Sequence, residues 1–118
     1  MITDFQKLIS SAGISYGIIG AELSFAYCDV FETVRICTQH EIAVLGVEIF
    51  EVTKDDKYQA KGFSDYTLVM HNWSRFVKDN NNLAVEFIQR NPFDNGHVYV
   101  FTTCSRTEYS DLDTGGSR

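Results

Sequence analysis

Three segments of the chain place apolar residues at the three- and four-residue spacings of an amphipathic helix. They are residues 3–11, 24–37 and 72–90. The first segment begins with side chains that can cap a helix, and Gly13 follows it, which is typical of a helix end. The third stops before Pro92, because the residue that precedes a proline avoids helical backbone angles. The pattern therefore predicts three helices.

Residues 42–52 carry the strongest strand signal, since apolar side chains occupy both alternating faces, as in a strand inside a sheet. Strict alternation assigns four apolar residues to one face: Ala43, Leu45, Val47 and Ile49. Glu48 is the exception on the other face. A last strand is predicted over 97–104, and one or two less regular strands over 58–70, with Gly62 as a break.

The order of these elements favours an α+β domain, with a small sheet of about three to five strands packed against two or three helices. Residues 14–20 are interpreted as a loop or a short extended piece. Residues 1–113 are interpreted as a single domain, and 114–118 as a flexible tail or a cloning remnant. The predicted core residues are Leu45, Val47, Ile49, Phe76, Leu83, Phe87, Val98 and Val100.

Charge limits the classes of partner that the chain can bind. Sixteen acidic residues against ten basic ones give a net charge of −6 in 118 residues. This balance argues against nucleic acid as a ligand, because binding to phosphates needs lysine and arginine. No apolar run approaches the ~20 residues of a membrane span, and the first residues do not have the order of a signal peptide. The sequence predicts a single cytoplasmic domain that does not bind membranes.

The odd number of cysteines also favours a reducing compartment, since three thiols cannot all pair. Cys28 and Cys104 lie among apolar residues, and we interpret them as small buried hydrophobes. The three histidines, His40, His71 and His97, are dispersed without metal-ligand spacing. Glycine-rich phosphate loops and a nucleophile elbow are also missing. We therefore predict no metal, no cofactor and no catalytic residue.

An enzyme would need a few reactive side chains to converge in one cleft. The candidates for such a cleft are Glu48, Asp65, His71 and Cys104. Glu48 has apolar neighbours along its strand, an environment in which carboxylates can act as general acids. A glutamate that faces solvent or pairs with a lysine would look the same in the sequence, and we favour this non-catalytic interpretation.

Acidic and aromatic residues occur together between positions 48 and 73. Tyrosine and tryptophan are enriched at protein interfaces, and acids beside them would attract a basic partner. A solvated charged turn next to core aromatics would give the same pattern. The predicted partner contacts are Glu48, Glu51, Asp55, Asp56, Asp65, Tyr66 and Trp73. The next candidates are Glu22, Asp29 and Glu32 near the start of the second helix, and Glu108 and Asp111 near the end of the chain.

Residues 40–51, with the string Val44-Leu45-Gly46 followed by an acid and an aromatic, resemble a small family of bacterial immunity proteins. The pattern of that family is a helix, "G-I-x-V-L-G-G-D-V-Y", a Tyr/Trp-containing segment, a helix and a closing strand, and residues 84–88 and 97–101 fit its last two parts. The resemblance spans roughly residues 24–103, with valine, glutamate and phenylalanine where glycine, aspartate and tyrosine are expected.

The resemblance implies a cytoplasmic antidote from a polymorphic-toxin or contact-dependent growth inhibition system. Such a protein binds a cognate toxin, often a basic nuclease, and covers its active or substrate-binding site. The acidic charge agrees with this role. The alternative is a non-catalytic regulatory or ligand-binding α+β module, which predicts a preformed apolar pocket. A small enzyme is the third class, and the sequence does not specify an oligomeric state.

Overall fold

The computed structural model describes residues 3–52, 58–65, 72–93 and 96–109. In chain order the elements are α1 (Asp4–Ala12), β1 (Gly17–Ile19), β2 (Glu22–Phe25), α2 (Tyr27–Gln39), β3 (Ala43–Val52), β4 (Tyr58–Asp65), α3 (Trp73–Arg90) and β5 (His97–Cys104). The five strands form one sheet in the order β1-β2-β5-β3-β4, and every neighbouring pair is antiparallel. This arrangement confirms the predicted α+β class and its single sheet.

Two helices connect strands that are not neighbours. α2 joins β2 to β3, and β5 lies between those two strands. α3 joins β4 to β5, and β3 lies between them. Since each of these strand pairs flanks a common antiparallel neighbour, the strands joined by each helix run parallel. The central strand of the sheet, β5, is therefore the last of the five strands in chain order.

The main core lies between one face of the sheet and the three helices. Each helix contributes buried side chains to it, among them Phe5 and Ile9 from α1, Val30 and Val34 from α2, and Ala84 and Ile88 from α3. The sheet contributes Leu23, Phe25, Val44, Val47, Ile49, Tyr99 and Phe101. Three aromatic rings meet at its centre, with Phe101 5.3 Å from Phe25 and 6.2 Å from Phe5 between ring centroids. Such pairs add to the stabilisation that burial alone provides.

The predicted core is half correct. Val47, Ile49, Phe76 and Val100 are buried. Leu45, Leu83, Phe87 and Val98 are only half-buried. The largest fully buried side chains were missed, and they are Tyr99, Phe25 and Phe101.

A β-bulge near the start of β3 makes the predicted alternation of this strand wrong. Val44 pairs with Thr103 and Gly46 with Thr102, so Leu45 is an extra residue without its own partner on β5. The bulge shifts the side-chain phase by one residue. Val44 therefore shares the core face with Val47 and Ile49, in place of the predicted Ala43 and Leu45.

The predicted start of the second helix is also wrong, because residues 22–25 form β2 and the helix begins at Tyr27. β1 and β2 form a hairpin around a two-residue turn, in which Gly20 has a positive φ of 62°. At Gly17 a Cβ atom would lie 2.8 Å from the Ser24 hydroxyl, so any other residue there would force the Ser24 side chain to move. The interpretation of 14–20 as partly extended is consistent with β1.

Side-chain caps fix the starts of α1 and α3, and the first of them was predicted. Thr3 accepts a hydrogen bond from the backbone of Gln6, and Asn72 accepts one from the backbone of Arg75. Gly13 follows α1 in the left-handed conformation, with φ 74°.

A further cap ties the two ends of the described chain together. The Ser105 hydroxyl accepts from the Glu108 N–H (3.2 Å), and the Glu108 carboxylate accepts from the Ser105 N–H (2.9 Å). This reciprocal pair is a capping box, which the spacing S-x-x-E signals in a sequence. The same carboxylate accepts from the N–H of Asp4, at 3.3 Å, at the start of α1.

Candidate partner-binding surface

Glu48 and Asp65 come close together in the hairpin of β3 and β4. Gly46 pairs with Asp65, and Glu48 pairs with Phe63. Asp65 is therefore two register positions away from Glu48, on the neighbouring strand. The hairpin brings two predicted contact residues to one part of the sheet.

Glu48 shares its face of the sheet with residues of β5 and β2. Glu48 pairs with Val100, and Val100 pairs with Ser24. Two residues further along both strands, the Thr102 hydroxyl donates a hydrogen bond to the carboxylate of Glu22. We call this set of side chains the Glu48 face, and it comprises Glu22, Ser24, Glu48, Val98, Val100 and Thr102.

The Glu48 face lies opposite the main core, because its residues alternate with core residues along each strand. Glu22 and Glu48 are half-buried and Thr102 is exposed. Val100 is 3% exposed, yet neither it nor Val98 belongs to the buried clusters that the described helices form. No side chain in this set is basic, so its net charge is negative.

The other predicted contacts are dispersed. Glu51 pairs with His97 and has the same strand phase as Ile49, so it lies on the core side of the sheet rather than with Glu48. Asp55, Asp56 and Tyr66 lie outside the described residues.

Trp73 belongs to the core, which corrects its prediction as a contact anchor. Its indole is 5% exposed, and its N–H donates to the backbone carbonyl of Glu41 at 2.8 Å. Its ring packs on Phe76 and Tyr109, with centroids 5.4 Å and 5.5 Å away. The bond to Glu41 helps to hold that residue at a positive φ of 58°, where the chain turns from α2 into β3. A partner cannot reach this indole without opening the core.

The secondary acidic candidates do not form one cluster. Glu22 lies in β2 rather than at a helix start, whereas Asp29 and Glu32 lie on α2. Arg35 donates two hydrogen bonds of 2.7 Å to Glu32, and these bonds lower the pKa of the Glu32 carboxyl. Glu108 is occupied in the capping box. Asp111 lies outside the described residues.

The structure describes the positions of only some of the residues that were candidates for an active site. Glu48 and Asp65 are neighbours in the sheet, but Cys104 is buried at the end of β5 and His71 lies outside the described residues. Burial raises the pKa of the Cys104 thiol to about 11, so it is protonated at neutral pH and a poor nucleophile. In the part of the chain that the structure describes, no three potential ligands among His, Cys, Asp and Glu are grouped to hold a metal.

The three thiols should differ sharply in reactivity. Cys28 is exposed, which contradicts its predicted burial, whereas Cys37 is buried and desolvation raises its pKa to about 12. Because the thiolate is the reactive species, we expect one fast-reacting thiol with a disulfide reagent at about pH 8, and three after unfolding in guanidinium. The Cys28→Ser variant should lose the fast reaction. Rapid labelling of the folded Cys28→Ser variant would show that the placement of Cys37 or Cys104 in the core is wrong.

A separate groove lies between α2 and α3, on the helical side of the molecule. Its volume is about 470 Å³, and its lining includes Phe31, Val34 and Val85 as apolar contacts. Thr38, Gln39 and Asn82 add polar groups to the same lining. None of these residues belongs to the predicted contact set. A groove of this size and composition can accommodate a small apolar ligand with one polar end.

The chain has no significant match among protein-family models, curated proteins or solved structures. Within the described ranges, no helix has both the length and the apolar character needed to cross a bilayer. Function therefore has to follow from the chemistry of the surface itself.

Proposed function

We propose that the protein is an immunity protein, which binds a cognate bacterial toxin in the cytoplasm and blocks its active or substrate-binding site. The observation that carries this proposal is the Glu48 face, an acidic sheet surface opposite the core of a chain with a net charge of −6. All of its residues except Glu22 lie within the segment that resembles immunity proteins. It offers two half-buried carboxylates and the exposed hydroxyl of Thr102, which are groups that a basic protein surface can bind.

Occlusion is the mechanism that this surface supports. Toxins that cleave nucleic acids need lysine and arginine near their active sites to bind phosphates. An acidic antidote is attracted to the same groups, and this attraction raises the association rate. Once bound, the antidote excludes the substrate by its bulk and charge. The antidote itself needs no catalytic residue for this function.

The proposal is tested with the toxin encoded beside the gene for this protein. Co-expression should restore the growth of cells that produce the toxin domain, and the purified proteins should form a stable complex. Growth arrest that persists despite soluble antidote, with no complex by gel filtration, would contradict the proposal. A complex with a protein that is encoded nearby but is not a toxin would not support the proposal.

Charge reversal at Asp55 and Asp56, which lie in the segment between β3 and β4, should slow association with such a toxin. Asp55→Lys combined with Asp56→Lys replaces two attractive charges with repulsive ones, so we expect the association rate to fall about tenfold at low salt. The difference should shrink as salt is raised, because salt screens exposed charges.

The matched control for this prediction is Glu32→Lys combined with Glu86→Lys, which changes the net charge by the same amount at exposed positions of α2 and α3. Both proteins must keep wild-type unfolding midpoints. An equal loss of rate in this control would show that net charge, rather than the segment with Asp55 and Asp56, guides association.

A second candidate function is a ligand-binding module, and the groove between α2 and α3 favours it. Phe31, Val34 and Val85 would hold an apolar body while Thr38 and Gln39 bind a polar end. A ligand there would stabilise the folded state in proportion to its occupancy. Thermal unfolding with a library of small amphipathic acids and amides distinguishes the two functions, because Val85→Trp should abolish any ligand-induced stabilisation and leave toxin binding intact.

A further inference from the structure

We infer that the outer edge of β1 pairs with the same edge of a second copy of this chain, so that two five-stranded sheets join through antiparallel pairing centred on Ile18. This inference concerns self-association and goes beyond the proposed function, on which it does not depend. It follows from the position of β1 in the sheet, the exposure of Ile18 and the lack of charge in the surrounding sequence.

The main chain of Ile18 faces the open edge of the sheet. β1 is an outer strand, and within the described ranges its one strand neighbour is β2. Positions of an antiparallel pair alternate between those that exchange main-chain hydrogen bonds and those that do not. Ile19 and Glu22 close the two-residue turn, which is a bonded position. The next pair, Ile18 and Leu23, is therefore non-bonded, and the N–H and C=O of Ile18 point away from β2.

The side chain of Ile18 ends an apolar row that crosses the sheet. Phe101 of β5 pairs with Leu23 of β2, and Leu23 pairs with Ile18. Because paired residues lie on the same face of a sheet, this row begins in the main core and finishes at the edge. Phe101 and Leu23 are 1% and 4% exposed, whereas Ile18 is 60% exposed. A strand added beside β1 would cover the exposed end of the row.

Contacts with α1 hold this edge in position before any second strand arrives. Tyr16, which directly precedes β1, accepts a hydrogen bond at its hydroxyl from the Gln6 amide at 3.3 Å. The same hydroxyl lies 3.2 Å from that of Ser10. The β1–β2 turn adds a further constraint on the other side. A preformed edge loses little conformational entropy when it pairs, which favours association.

Charge selects a second copy as the occupant of this edge. No charged residue occurs between positions 8 and 21, although the net charge of the chain is −6. Two copies repel each other through their acidic surfaces, but this edge adds nothing to the repulsion. A basic toxin would gain no electrostatic attraction here. Outer strands are commonly protected from pairing by lysine or proline, and β1 contains neither.

A two-fold axis perpendicular to the sheet satisfies both the main chain and the side chain of Ile18. It makes the pairing antiparallel and keeps the two cores on the same side. Ile18 then lies opposite its counterpart, where the two residues exchange a pair of main-chain hydrogen bonds and their side chains meet. Because β1 has only 3 residues, the contact is smaller than the roughly 1,200 Å² of a stable interface, and the dimer is weak.

Sedimentation velocity of the purified chain tests the inference, over concentrations from micromolar to millimolar. We expect the wild type to show a reversible equilibrium between monomer and dimer. Ile18→Lys should raise the dissociation constant at least about tenfold, because it places two like charges at the centre of the contact. Ile18 is exposed, so this variant should keep the wild-type fold. The matched control is Gln89→Lys, which adds the same charge at an exposed position of α3 and should dimerise like the wild type.

Amide hydrogen exchange then locates the contact within the chain. The N–H of Ile18 should exchange quickly in dilute protein and at least about fivefold more slowly in concentrated protein, because pairing protects it. Leu23 is the internal control, since its N–H faces β5 and should be protected equally at both concentrations. The Ile18→Lys variant should show no dependence on concentration at position 18.

Four results would overturn the inference. They are a monomer at every concentration, a dimer that Ile18→Lys leaves intact, an equal loss of dimer in the Gln89→Lys control, and protection centred on another surface. Protection of Ile18 only when a toxin is added would also overturn it, because a strand of the partner would then occupy the edge. The proposed function is tested separately, since the monomeric Ile18→Lys variant should still neutralise the toxin. Normal dimerisation with failure of the co-expression test would contradict the proposed function alone.

Discussion

Replacing Asn81 with leucine is expected to lower the free energy of unfolding by about 3 kcal/mol or more. The Asn81 side chain is buried and joins α3 to the start of β3 by accepting from the Val44 N–H at 2.7 Å and donating to the Ile42 carbonyl at 3.0 Å. It also donates to the Thr38 hydroxyl on α2, at 2.8 Å. Leucine would leave two buried backbone groups without partners, and each such group costs about 1–3 kcal/mol.

Its neighbours provide controls with the same substitution. Asn82 is exposed, so Asn82→Leu should be neutral or slightly stabilising, since leucine favours helices. Asn80 is fully buried, but its side-chain oxygen has no hydrogen-bond partner, and its amide donates only to the carbonyl of Phe76. Asn80→Leu should therefore change stability by less than about 1 kcal/mol, in either direction. Urea unfolding of all three variants measures the differences. Similar losses at all three positions would show that the hydrogen bonds of Asn81 are not the cause.

Phe101→Ala is the second substitution with a large expected effect, a loss of about 3–5 kcal/mol. Phe101 is 1% exposed on the central strand, and its ring contacts Phe5 of α1 and Phe25 of β2. Alanine would leave a cavity where these three elements meet. The free energy of unfolding of a small domain is only about 5–15 kcal/mol, so this single substitution would remove a large part of it.

Two variants provide a scale for that loss. Phe101→Leu should cost less, because leucine fills part of the space. Ile18→Ala removes an apolar side chain that is 60% exposed, so the change should stay within about 0.5 kcal/mol. Guanidinium unfolding followed by circular dichroism gives all three values. A loss below about 1 kcal/mol for Phe101→Ala would show that the aromatic cluster is not a tightly packed core.

Periodicity predicted most of the secondary structure, because local patterns determine much of it. α1, α3, β3 and β5 lie close to their predicted bounds. The exceptions are places where tertiary pairing overrides a local pattern. Residues 24 and 25 continue a helical pattern in the sequence, yet they belong to β2, because Leu23 and Phe25 of this strand pair with β5 and reach the core.

Local periodicity could not predict the bulge at Leu45 or the hydrogen bonds of Asn81. A bulge is defined by its partner strand, and β5 lies more than 50 residues further along the chain. The hydrogen bonds of Asn81 join residues that are 37 to 43 positions apart in the sequence. Nothing in the residues around Asn81 indicates that its polar side chain makes these bonds. The capping box at 105–108 was different, because S-x-x-E could have been found in the sequence.

The candidate site was predictable only in part for the same reason. Glu48 and Asp65 were both predicted contacts, and the hairpin of β3 and β4 brings their positions together by pairing segments that are close in the sequence. Glu22 joins Glu48 only through β5, so the prediction that grouped Glu22 with Asp29 and Glu32 is wrong. Trp73 was predicted as a contact but is buried. The sequence cannot separate these two roles, because a tryptophan at an interface and one in the core both combine an apolar ring with a hydrogen-bond donor.

The central position of β5 determines when this protein can fold during its synthesis. Until residues 97–104 have left the ribosome, β2 and β3 both lack their shared partner, and the core lacks Tyr99 and Phe101. Unpaired strand edges in such a nascent chain are templates for aggregation. The contact between Asp4 and Glu108 joins residues that are 104 positions apart in the sequence. The fold is therefore completed only after all five strands have been made, and its many distant contacts make folding slow.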